Sequence, residues 1–301
     1  MLTGAETLFF GHPMKKFTTP LPWIFYIVQI GLVSAQPHTE APTKVGPQQG
    51  SLVIVGGGLL DMSILERFIE LAGGKDALIV VIPTASGEFS EASLNQKLNM
   101  FRDLGATHVT PLHTTNPAEA NENSFVEPLK TAKGVWFGGG RQWRLVDSYK
   151  NTKVEKLLWE VLERGGVIGG SSAGASIQGS YLARGDASGN QVMTGDHEVG
   201  FGYLRNVAID QHLLARNRHF DMFTILKQYP HLLGFGIDEN TAMVVRGDGG
   251  KLCCGLRWDI LVEGRNTTTT WVNTLPVAVW AYMNRTMAPS NCITPTSTWE
   301  I

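Results

Sequence analysis

The stretch Gly166-Val167-Ile168-Gly169-Gly170-Ser171-Ser172-Ala173-Gly174-Ala175 opens apolar and ends in small residues. The apolar start predicts a buried strand, and the small residues after it can begin a helix. Gly-x-Ser-x-Gly at a strand-to-helix turn has the shape of a nucleophile elbow. The turn is so tight that a larger flanking side chain would strike neighbouring backbone. Gly170, Ser172 and Gly174 fill the pattern, which makes Ser172 the candidate nucleophile, with Ser171 one residue early. The same residues would also suit a helix packed closely on a sheet, so the pentapeptide leaves both readings open.

Upstream, continuous apolar runs at 52–55, 77–82, 109–112 and 134–137 predict strands. Helical spacing of apolar residues fills 61–72, 90–104 and 141–164 between them. Apolar strands alternating with helices imply a mostly parallel sheet covered on both faces, an α/β fold. Sites in such sheets form beyond the carboxyl ends of the strands. Gly56–Gly58, Pro83–Ser86, Gly138–Gly140 and Ser172 all fall there. Downstream, 179–203 is rich in Gly, Asp, Ser and Asn and reads as an irregular excursion. A helix is expected over 212–228 and a short strand over 234–237. The runs 242–245 and 252–256, separated by the 247–250 turn, predict a C-terminal β-hairpin.

The 301 residues, 43% of them hydrophobic, suffice for a full core. A net charge of −2 gives no basis for nucleic-acid binding. Three cysteines make no disulfide framework. In an oxidising compartment Cys292 could bridge to Cys253 or Cys254. Neither Cys-x-x-Cys nor His-Glu-x-x-His is present, so no metal is expected.

Met14-Lys15-Lys16, the apolar run 21–33 and the small residues Val33-Ser34-Ala35 match a secretory signal peptide at 14–35, behind an atypical extension at 1–13. The alternative is a membrane anchor over the uncharged residues 17–37. Residues 36–50 read as a linker, 51–262 as the folded domain and 263–301 as a tail. Sequons at Asn266 and Asn284 fit a secreted, extracellular glycoprotein. The sequence admits a homodimer without requiring one.

A serine nucleophile needs a base, and the base needs an orienting acid. His12 and His38 lie in or near the targeting segment. His108, His113 and His231 have no polar company, and His197 and His219 stand in solvated surroundings. His212, in Asp210-Gln211-His212 after the apolar 207–209, is the candidate base. Glu239 after the strand 234–237 is the candidate acid, with Asp238 pointing the other way and Asp186, Asp196 and Glu198 as rivals.

Taken together, GGG at 56–58, IPTAS at 82–86, FGGGRQWRL at 137–145, GGSSAGA at 169–175, DQHLLARNR at 210–218 and GFGIDENTA at 234–242 resemble peptidase family S51, the cyanophycinase and dipeptidase E group. The resemblance covers about residues 51–262. It implies a flavodoxin-like three-layer α/β sandwich related to class I glutamine amidotransferases, and cleavage beside aspartyl residues without a cofactor. It implies Ser172, His212 and Glu239 as catalytic triad, and Gly140 and Ala173 as oxyanion-hole donors. Gln142, Asp210, Gln211, Arg216 and Arg218 would bind a peptide or poly-aspartyl substrate. Two departures stand out. Arg141 replaces an acidic or amide residue, and Asp221 lies near where cyanophycinases carry a further basic one. A non-catalytic protein on the same fold is the rival reading.

Overall fold

A computed structural model of the protein describes residues 45–87 and 90–247, and the backbone of 279–282. The expected signal peptide or anchor, most of the linker, both sequons, all three cysteines and the second hairpin strand lie outside the described residues. No helix among the described residues is long and apolar enough to cross a membrane.

Strand β1 (Ser51–Val55) is followed by α1 (Met62–Leu71), β2 (Leu78–Ile82), α2 (Glu91–Arg102) and β3 (His108–Pro111). Both helices start on side-chain caps: Asp61 accepts the Ser63 N–H at 2.9 Å and Ser90 the Ser93 N–H at 3.1 Å. Next come α3 (Glu127–Thr131), β4 (Gly134–Phe137), α4 (Gln142–Tyr149), α5 (Lys153–Glu163) and β5 (Val167–Ser171). The single helix expected over 141–164 is thus two. Asn151 adopts a left-handed φ of 60° that a helix cannot carry, and Thr152 restarts the chain as the N-cap of α5.

The remaining elements are α6 (Ala173–Ser176), β6 (Gly179–Tyr181), β7 (Leu204–Gln211), α7 (Met222–Gln228), β8 (Leu233–Ile237), β9 (Ala242–Arg246) and β10 (Val279–Tyr282). The helix expected from residue 212 begins only at Met222. His212 has φ 54°, and residues 212–221 form a loop. Residues 242–246 do not await a hairpin partner for their pairing. They run antiparallel to β1, Val55 opposite Ala242 and Ser51 opposite Arg246.

One sheet has the order β3-β2-β4-β5-β1-β9, parallel except for β9. A second has the order β10-β8-β7-β6, with β10 antiparallel to β8. The strand period of two explains the layers. Leu52 and Ile54 face one core, with Val80, Ile82, Leu158 and, from the second sheet, Ile209 and Ile237. Val53 and Val55 face the other, with Phe68 of α1 and Phe101 of α2. There the Phe68 and Trp136 rings meet edge-on at 5.1 Å, and Gly169 leaves room for Trp136, since a Cβ at 169 would sit 2.6 Å from that ring. Part of the expected linker belongs to this structure: Val45 packs on the core and its carbonyl accepts the Arg205 N–H at 2.7 Å.

Candidate active site

The carboxyl ends of β1, β2, β4 and β5 share one edge of the sheet. β1 organises what gathers there. Its last carbonyl, on Val55, accepts the Ser172 N–H at 2.9 Å. The next carbonyl, on Gly56, accepts the His212 N–H at 2.8 Å, and that of Gly57 accepts the Asn240 N–H at 2.9 Å. Three consecutive acceptors thus receive segments from the ends of β5, β7 and β8.

Ser172 occupies φ 56°, ψ −109°, a backbone region that a non-glycine residue enters only under constraint. The glycines around it are obligatory. A Cβ on Gly170 would collide with the Gly174 backbone, and one on Gly174 would overlap the Phe137 carbonyl. Ser172 is half-buried. Its Oγ lies 2.8 Å from His212 Nε2, and His212 Nδ1 lies 2.5 Å from Glu239 Oε1. His212 is buried, whereas the Glu239 side chain is 38% exposed, so the acid reaches the base from the solvent side. Burial holds the His212 pKa below its usual value. The bond to Glu239 opposes this, and the charges of Arg216 and Arg218 add to it. The imidazole is therefore neutral near pH 7, the form that can take a proton from serine.

Asp238 has its own task. Its Oδ1 accepts the N–H groups of Leu214 and Ala215 at 2.9 and 3.0 Å, fixing the loop beyond the histidine. A methyl group at Gly139 would sit 3.5 Å from Ser172 Cβ, which puts the glycine loop beside the serine. Gly140, at φ 141°, leaves no room for a side chain against the Ala85 carbonyl, which also accepts the Arg141 N–H at 2.8 Å. The N–H groups of Gly140 and Ala173 have no backbone acceptor among the described residues.

The residues that the resemblance assigns to substrate binding divide. Arg216 is exposed and pairs with no carboxylate among the described residues. Gln142 is fully buried and donates to the Ala183 carbonyl at 2.6 Å, its Oε1 without a partner among the described residues. Arg218 is buried against Gln211, donating to its carbonyl at 2.9 Å and its Oε1 at 2.5 Å; burial, and then the neighbouring Arg184, lower its pKa to about 10. Asp210 is fully buried on Arg184, a residue without an evident sequence signal. Asp221 also pairs with Arg184, and Arg141 donates to the Asp186 carbonyl at 2.6 Å, so both departures from the family pattern have internal partners. His197 bridges Asp196 and Asp147, each at 2.8 Å. Among the described residues no group of three His, Cys, Asp or Glu side chains could hold a metal ion.

The sequence model of peptidase family S51 matches residues 52–253, well over half the chain. The chain belongs to peptidase family S51. Among its S51 relatives, the cyanophycinase of Geminocystis herdmanii is 30% identical over 229 residues, spanning 74% of this chain and 84% of that one. The cyanophycinase of a Nostoc species is 32% identical over 251 residues, 80% and 81% of the two chains. The crystal structure of a peptidase from an acI-B1 actinobacterium superposes with a TM-score of 0.54 at 28% identity, covering 67% of this S51 chain and 85% of the other.

Proposed function

We propose that this S51 member is a secreted serine peptidase that hydrolyses aspartyl peptide bonds, β-linked ones foremost, through Ser172, His212 and Glu239. The single observation that carries the reading is the continuous chain of contacts from Ser172 Oγ to His212 Nε2 and from His212 Nδ1 to Glu239. Serine at its own pKa is a poor nucleophile and needs such a base, itself held in one tautomer by an acid. Ser172 Oγ attacks the amide carbonyl as its proton passes to His212 Nε2. The oxyanion rests on the N–H groups of Gly140 and Ala173, an arrangement generally worth roughly 3–4 kcal/mol per donor. The imidazolium, held by Glu239, gives the proton to the departing amine. Water, deprotonated by the same imidazole, releases the acyl group from Ser172. Arg216, forked and unpaired among the described carboxylates, suits a substrate carboxylate. The segment 14–35 supports export, and Asn266 and Asn284 would then carry glycans.

The test is hydrolysis of cyanophycin and of β-Asp-Arg, β-Asp-Leu and α-Asp-Leu peptides, with Ser172→Ala as control. Cleavage of a β-linked substrate that vanishes in the variant is the expected result. Absence of cleavage, together with no reaction of Ser172 with a fluorophosphonate, favours the non-catalytic reading.

A further inference from the structure

Arg184 is buried without exposure and lies in the excursion after β6. Its Nε and Nη2 donate to the two carboxylate oxygens of Asp210 at 2.7 and 2.8 Å, a forked pair. Nη2 also donates to Asp221 Oδ2 at 2.5 Å, and Nη1 to the Asn190 carbonyl at 2.8 Å. These two carboxylates stand at the two ends of one loop. Asp210 is the second-last residue of β7, two before His212, and Asp221 is the last residue before α7. Between them the chain carries His212 and Asn217 at φ 54° each. Left-handed residues of this kind persist where surrounding contacts impose them. Arg218 adds to the closure, its Nη1 3.7 Å from Asp210 Oδ1 and its N–H bonded to the Leu213 carbonyl at 2.7 Å. Two guanidinium groups and two carboxylates balance within the cluster, so Asp210 is closed to solvent and its charge is spent internally.

We propose that Arg184 is a positioning residue for the reaction: by pairing Asp210 and Asp221 it clamps both ends of the loop that holds His212 against Ser172. The clamp rests on the serine-peptidase reading above. It assigns Asp210 to the scaffold of the base rather than to the substrate. Asp221 supplies the second jaw.

Asp221→Asn and Arg184→Lys test it. The Asp221 side chain is 37% exposed, so its amide variant keeps the buried Arg184–Asp210 pair and the fold. Lysine keeps the charge but offers one point donor where a fork served two carboxylates. In Asp221→Asn, kcat and the rate of Ser172 phosphonylation fall together by about tenfold, with KM within about twofold of wild type, the signature of a displaced base. Arg184→Lys falls further, and if it does not fold, Asp221→Asn decides alone. Wild-type kcat and phosphonylation rate in a folded Asp221→Asn overturn the clamp while the peptidase reading stands. A raised KM at unchanged kcat also overturns it, since the cluster would then touch substrate. A wild-type chain that neither cleaves any aspartyl peptide nor reacts with the phosphonate removes the peptidase reading and the clamp together.

Discussion

Gly57 lies flat against the imidazole of His212, so close that a Cβ at position 57 would overlap the ring. Its φ of 117° is itself one that L side chains rarely adopt. Next to it, a Cβ on Gly58 would come within 2.6 Å of Glu239 Oε2. The triple glycine is therefore the floor on which base and acid rest. Gly57→Ala is expected to lower kcat/KM about 100-fold by shifting His212 from Ser172, with phosphonate labelling lost in parallel. Retained labelling at the wild-type rate would contradict this.

In the proposed triad, Glu239 sets the tautomer of His212. Glu239→Gln retains the shape of the side chain but can present an amide to Nδ1, and an amide does not stabilise the imidazolium. A fall in kcat of about 10²–10⁴-fold with little change in KM is expected, read from steady-state kinetics on a β-aspartyl peptide.

The pH profile is set by the lowered pKa of His212. The proposed reaction needs the neutral ring, so activity is expected above that pKa and is lost as the pH falls through it, on a limb below 6.5. Arg216 is one of the charges that lower this pKa. Arg216→Gln therefore moves the acid limb of kcat/KM to higher pH, in addition to any rise in KM. An unmoved limb would show that Arg216 does not influence the base.

His197 has carboxylates on both ring nitrogens, Asp196 and Asp147. A neutral imidazole can donate to only one of them, so the geometry is that of the charged ring. Burial opposes the charge, but the bonds to Asp196 and Asp147 prevail and raise the pKa above 6.5. A raised folded-state pKa gives stability that is full below the unfolded value and is lost as pH rises through the folded one. Hydrogen exchange across 186–197, after correction for its intrinsic pH dependence, is expected to quicken as the pH climbs above 6.5. In His197→Gln that pH dependence disappears.

On the other face of the sheet, Phe68 is fully buried between Phe101 at 5.5 Å and Trp136 at 5.1 Å. Phe68→Ala should cost about 3–5 kcal/mol, measured by urea denaturation, with the triad contacts intact in the folded fraction.

The alternation of apolar strands with amphipathic helices makes the parallel core legible, because burial on both faces demands continuous apolar runs. Ser172, His212 and Glu239 are legible as candidates because each comes after such a run at a carboxyl end. The helix expected from 212 is where local pattern misleads. The apolar residues of 212–228 do repeat at helical spacing, but left-handed backbone at His212 and Asn217 interrupts a helix there. The antiparallel pairing of 242–246 with β1 is a contact between distant segments that no local pattern encodes.

By itself, then, the sequence determined the α/β order of elements, the elbow at Ser172 and the residue types that can do acyl chemistry, since these depend on local spacing and steric tolerance. Tertiary structure decided which polar residues face the substrate side and which are used up inside. Arg184 carries no local signal, yet it pairs with both Asp210 and Asp221, and Gln211 takes Arg218. A buried charge must find its partner wherever the fold brings one, and that partner is set by packing across the chain rather than by neighbours along it.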